Sequence, residues 1–92
     1  MNNIGNLYLD NEEYSKAGDY FQESYDISVK LGSDRGVIFA KSNLGIVEMN
    51  SGHHSEAVRM FNEALTLARA SNYKEDVKDI YELLSIVYEK MG

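Results

Sequence analysis

The stretch NLGIVEMNSGHHSEAVRMFNEA, residues Asn43–Ala64, decides how this chain folds. Its first part continues an apolar pattern of helical period: Val37, Ala40, Leu44 and Val47 form one stripe, and Phe39, Ile46 and Met49 an adjacent one. Gly52 stands where a left-handed residue would close that helix. A second helix then starts near His53 to Ser55 and carries Ala57, Met60, Phe61, Ala64, Leu65 and Ala68 on one side. Two helices joined by so short a turn must pack antiparallel.

The hairpin recurs. An ungapped shift of 40 residues lays Asn3-Ile4-Gly5 on Asn43-Leu44-Gly45, Ser15 on Ser55, Ala17 on Ala57, Phe21 on Phe61, Glu23 on Glu63 and Val37 on Val77. The same shift places Leu44, Ile46, Val47 and Gly52 on Leu84, Ile86, Val87 and Gly92. Repetition at such a period signals a solenoid whose units bury their apolar faces on one another. The pattern predicts about five helices, over 1–11, 14–31, 35–51, 54–71 and 74–91. The absence of proline leaves all of them without a breaker. Gly5 and Gly45 fall midway along the first helix of a unit, and a mid-helix glycine costs about 1 kcal/mol relative to alanine. A packing reason is therefore expected: small residues let two axes approach, with Phe21 or Phe61 filling the space beside Ala17 or Ala57.

Composition narrows the functions. Hydrophobic residues make up 43% and charged residues 26%, which suits a globular chain rather than a disordered one. A net charge of −6 opposes binding to phosphate backbones or anionic lipid, so neither nucleic acid nor membrane is an expected partner. Cysteine is absent, which removes thiolate chemistry and Cys-based zinc sites. No apolar run is long enough to span a bilayer and the start shows no signal-peptide pattern, so a cytoplasmic location is expected. His53 and His54 sit together in a turn without further ligands, and read as an exposed turn rather than a metal site. No nucleophile–base–orienter set and no phosphate-cradling glycine loop is present, so neither an enzyme nor a cofactor is expected.

The repeated residues resemble the tetratricopeptide repeat. The first unit reads Ile4-Gly5-x₂-Tyr8 and then Ala17-x₃-Phe21; the second reads Leu44-Gly45 and then Ala57-x₃-Phe61, with Glu48 where tyrosine is usual. A partial third reads Tyr81-x₂-Leu84-Ser85-x₂-Tyr88, with serine in place of glycine. Val29 and Arg69 replace the usual proline, and the 40-residue spacing is longer than standard. Both departures are similar to the long-helix variant found in bacterial signal-peptide receptors, large transcription activators and cell-polarity adaptors. The resemblance implies an all-α solenoid of two and a half repeats, with units at 1–33, 34–73 and 74–92 in one domain.

It also implies a non-catalytic protein-interaction module whose first helix in each unit lines a concave groove that holds a peptide. Carried onto this chain, the groove positions are Asn2, Asn3, Asn6, Leu9 and Asp10 from the first helix, Phe39, Ser42, Asn43, Ile46, Met49 and Asn50 from the third, and Asp79, Glu82, Leu83, Ile86, Glu89 and Lys90 from the fifth. The asparagines could form a ladder that grips a partner's main chain, since an amide both donates and accepts; equally, they could be solvated or cap turns. Co-chaperones of the family clamp a C-terminal carboxylate with two asparagines and three basic residues. Asn6 and Asn43 match the asparagines, but Asn2, Asp79 and Leu83 occupy the basic places, so no carboxylate clamp is expected. The acidic end suggests instead a partner segment carrying Lys or Arg.

The helix over 74–91 is apolar around much of its circumference, whereas a terminal solenoid helix should turn a polar face outward. Either the chain is a fragment of a longer array or copies associate through their ends. A homodimer is expected in isolation, with Ile80, Leu84, Val87, Tyr88 and Met91 in the interface. Self-association by this helix, or exchange of helices between copies, as a structural or regulatory segment, is the alternative to peptide binding.

Overall fold

A computed structural model of the chain describes residues 14–92. The helix expected over 1–11, with Asn3 and Asn6, lies outside the described residues. The rest forms four helices, with no strand among the described residues: α1 (Tyr14–Leu31), α2 (Asp34–Asn50), α3 (His54–Ala70) and α4 (Lys74–Met91). Each starts and ends within a residue of the expected bounds. Consecutive helices pack on one another, and α2 also touches α4.

The connections explain the regularity. Gly32, Gly52 and Asn72, spaced evenly along the chain, have φ of 69°, 89° and 63°. At each, the left-handed residue's N–H donates to the carbonyl three residues back (Val29, Met49 or Arg69). The next N–H reaches five back, to Ser28, Glu48 or Ala68, completing a Schellman closure. The same following residue (Ser33, His53 or Tyr73) opens the next helix, its carbonyl accepting from Val37, Ala57 or Val77. One helix thus ends where another begins, with no slack in the link, and the neighbours must run antiparallel. Gly52 takes the closing role expected of it. Asn72 fills it without glycine because its short polar side chain tolerates the left-handed region. Ser33 adds a side-chain cap, its Oγ accepting from the Gly36 N–H at 3.1 Å.

Two clusters form the core. Ala17 and Phe21 of α1 meet Leu44 and Val47 of α2, and Phe21 stands edge-on to Phe39 with ring centroids 5.9 Å apart. The second cluster joins α2, α3 and α4 through Ile38, Phe61, Ala64, Ile80, Leu84 and Val87. Burying each phenylalanine stabilises the fold by about 1.5–3 kcal/mol. Gly45 shows the packing reason anticipated for it: a Cβ there would overlap the Phe61 ring. Gly36 plays a similar part where α1 meets α2, since a Cβ would overlap the Ser28 side chain. That second close approach has no counterpart in the repeat pattern and was not expected.

The core also corrects the reading of the last helix. Ile80, Leu84 and Val87, expected in an oligomer interface, are buried inside their own chain against α3. Their spacing of four and then three residues is the stripe by which α4 packs on its own chain, so they are not an exposed face. Tyr88 and Met91, from the same expected interface, stay about half exposed, at 53% and 49%, as does Tyr81 at 50%.

Candidate binding groove

Side by side, α2 and α4 leave between them a groove of about 330 Å³. Phe39, Ser42, Asn43 and Ile46 line it from α2. Asp79, Glu82, Leu83 and Ile86, the residues 40 positions on, line it from α4. The spacing i, i+3, i+4, i+7 puts each set on one face, and the repeat turns the two faces toward a common hollow. All eight were among the groove positions expected. Ile38 and Ile80 add a buried floor, and Asp76 extends the α4 wall one turn toward its start. These three were missed, although Asp76 is signalled by its position three residues before Asp79.

Met49 corrects the expectation. It lies in the buried core with α3, not in the groove. Ten residues at about 3.6 per turn leave it roughly 80° around the helix from Phe39, which points it at the hairpin partner. Asn50, the last residue of α2, is exposed and does not line the groove; neither do Glu89 and Lys90. Among the described residues, the expected asparagine ladder is represented in the groove by Asn43 alone.

Asn43 is neither solvated nor a turn cap. It is only 3% exposed, and its Nδ2 donates to the Phe39 carbonyl at 2.8 Å. Its Oδ1 is buried and has no hydrogen-bond partner among the described residues. Leaving such an acceptor unsatisfied costs about 1–3 kcal/mol, which a donor arriving in the groove would relieve.

The charges sort by face. Asp76 has Arg35 at 3.9 Å, and that guanidinium also sits 4.9 Å above the Tyr73 ring. Asp79 and Glu82 are exposed, and no ion pair or hydrogen bond joins their side chains to any described residue. Lys41 of α2 points away from the groove, donating to Glu63 of α3 at 2.8 Å and lying 5.0 Å from the Tyr25 ring of α1. That hydrogen bond is the main reason the Glu63 carboxyl is held below its ordinary value. Arg59 donates to Glu56 at 2.7 Å, which lowers the Glu56 carboxyl and raises the guanidinium. His53 stays exposed, with Nδ1 3.3 Å from Glu48 Oε2. Among the described residues no group of three His, Cys, Asp or Glu could hold a metal ion. No described helix is long and apolar enough to cross a membrane.

Antiparallel helical hairpins at a fixed period, with a hollow between alternate helices, define a helical-repeat protein. A family profile described as tetratricopeptide repeat matches residues 1–70, and the chain belongs to that family. Comparison with curated proteins finds no significant match, and comparison with solved structures finds none either.

Proposed function

We propose that this chain is a non-catalytic protein-interaction module that holds a peptide segment in the groove between α2 and α4, built from repeat units at 1–33, 34–73 and 74–92. The evenly spaced turns support that division. One observation carries the binding reading: the buried Oδ1 of Asn43, without a partner among the described residues, belongs to the wall of a groove lined by apolar side chains and acidic ones. Phe39, Ile46, Leu83 and Ile86 offer side-chain area to a ligand, and Asn43 offers a fixed acceptor to its main chain. In this reading Asn3 and Asn6 extend the site from the first repeat, and no cofactor takes part.

Screening a peptide library while following oligomer size tests the reading. Binding should be lost or weakened about tenfold by Asn43→Ala, as expected for a hydrogen bond made in a desolvated site, with oligomer size unchanged. Ligands that bind the variant as tightly as the wild type would remove the groove from the mechanism.

The alternative, self-association through α4, rests on Tyr81, Tyr88 and Met91, which stay half exposed on the helix's outer side. Sedimentation across a concentration series separates it from peptide binding: a homodimer that Tyr88→Glu dissociates without loss of helicity would support it.

A further inference from the structure

The groove is rich in acceptors and has no cation of its own. Asp76, Asp79 and Glu82 line one wall, and no Lys, Arg or His lines either. Arg35 partly offsets Asp76 at 3.9 Å, which leaves Asp79 and Glu82, one turn apart on α4, as the wall carboxylates without an ion pair; the exposed Lys78, four residues before Glu82, pairs with neither. Lys41, the lysine within α2, is committed to Glu63 on the opposite side. Residues 1–13 contain no Lys, Arg or His, so that segment carries no basic side chain. Lys90 lies eight residues beyond Glu82, about 12 Å further along the helix at 1.5 Å per residue, and more than a Debye length away at physiological salt.

Asn43 gives a second, independent sign of the same preference. Its Oδ1 is a buried acceptor with no partner among the described residues, and one of its two amide N–H donors goes to the Phe39 carbonyl. Taken together the groove presents two free carboxylates and an amide oxygen above an aliphatic and aromatic floor. A ligand that matches it must bring donors and positive charge with apolar flanks; a carboxylate-bearing or phosphorylated segment would meet like charge.

We infer that the occupant is a partner segment that sets a Lys or Arg between Asp79 and Glu82, while its neighbouring aliphatic side chains rest on Phe39, Ile46, Leu83 and Ile86. The inference rests on the groove reading above and names its ligand class. The guanidinium or ammonium sits at the wet rim, where each ion pair is modest, and the apolar flanks and the main-chain donor to Asn43 supply the rest of the affinity.

Fluorescence anisotropy with the full chain and three labelled peptides of equal length tests this. One alternates leucine with arginine, the second replaces each arginine by its neutral isostere citrulline, and the third by glutamate. The arginine peptide should bind about tenfold more tightly than the citrulline peptide, with the glutamate peptide weakest. Asp79→Asn with Glu82→Gln should bring the arginine peptide to the citrulline level. Both residues are exposed, so unchanged far-UV circular dichroism is expected of that variant. Glu23→Gln with Asp26→Asn removes two negative charges from the exposed face of α1 and should alter binding by less than about twofold. Equal affinity for arginine and citrulline peptides, or an equal loss from the α1 pair, overturns the cation preference and leaves the groove reading standing. Failure of all three peptides to bind overturns both. A second copy seated in the groove would make arginine-peptide affinity fall as protein concentration rises, and that result also overturns the inference.

Discussion

Gly45→Ala tests how this fold closes. The added methyl would overlap the Phe61 ring at three of its carbons. Phe61 is 0% exposed and held among Ala57, Ala64, Leu65 and the α4 side chains, so the ring has no free volume to swing into. Overpacking of this kind costs about 1–3 kcal/mol. Alanine recovers about 1 kcal/mol of helix propensity. Because the obstruction is a rigid buried ring rather than the end of a flexible chain, the upper part of that range applies, and a net loss of about 1–2 kcal/mol is expected. Each kcal/mol lowers Tm by about 4–8 °C in a domain of this size. Ser85, the residue at the equivalent place in the partial third repeat, is exposed, and Ser85→Ala should leave Tm unchanged or slightly raised. Thermal and urea unfolding of both variants, repeated on a Phe61→Leu background, reads the coupling directly. If Gly45→Ala proved as stable as the wild type, or cost as much once the ring was gone, the argument that the α2–α3 approach requires glycine would be refuted.

Leu84→Glu buries a carboxylate against α3 and should abolish cooperative unfolding and helicity at every protein concentration, as circular dichroism would show; a folded variant that is merely less associated would contradict the burial of α4. The Glu63 carboxyl is held below its ordinary value of 4.5 by Lys41, so its contribution is present above that value and is lost as pH falls through the depressed folded one. Stability measured between about pH 5 and 2 should therefore fall less steeply in Glu63→Gln than in the wild type, and strong salt should narrow the difference. Ser33→Ala removes the one side-chain cap made at the described turns and should cost about 1 kcal/mol in chemical unfolding. Gly52→Ala forces a Cβ into the left-handed region at φ 89° and should cost about 1–2 kcal/mol by the same measurement.

The architecture was legible because the chain states it twice. Gly45 and Phe61 recur as a pair at the repeat distance, and the residues that close the helices fall at even intervals. The groove's azimuth was legible for a related reason: Phe39, Ser42, Asn43 and Ile46 share a helical face, and the shift carries that face to Asp79, Glu82, Leu83 and Ile86. What the pattern could not settle was allocation. Met49 and Ile46 are both apolar and three residues apart, yet one belongs to the α3 contact and the other to the hollow. On α4, apolar residues cover two faces, and only the packed structure shows that Ile80, Leu84 and Val87 are taken by α3 while Tyr81 and Tyr88 are left over. Contacts that do not repeat were invisible for the same reason. Gly36 against Ser28 and Lys41 reaching both Tyr25 and Glu63 occur once, and periodicity has no power over them.

The left-over face of α4 bears on which functional reading is the stronger. Tyr81, Ser85 and Tyr88 occupy the places that Lys41, Gly45 and Glu48 hold on α2. There the face is filled by the hairpin partner: Gly45 receives the Phe61 ring, Lys41 bonds Glu63 and Glu48 meets His53. None of these contacts transfers to α4. Serine carries the Cβ that glycine lacks, so a helix docked as α3 docks on α2 would meet an obstruction at the point of closest approach. Neither tyrosine can supply the charge that Lys41 and Glu48 supply. A second copy therefore cannot use α4 simply by repeating the internal hairpin, and would need a wider crossing that leaves the tyrosine hydroxyls hydrated. The groove needs no such rearrangement. Its walls are already set by the α2–α4 contact, and a ligand bears mainly its own ordering cost. Preorganisation thus favours recognition through the hollow over association through the end.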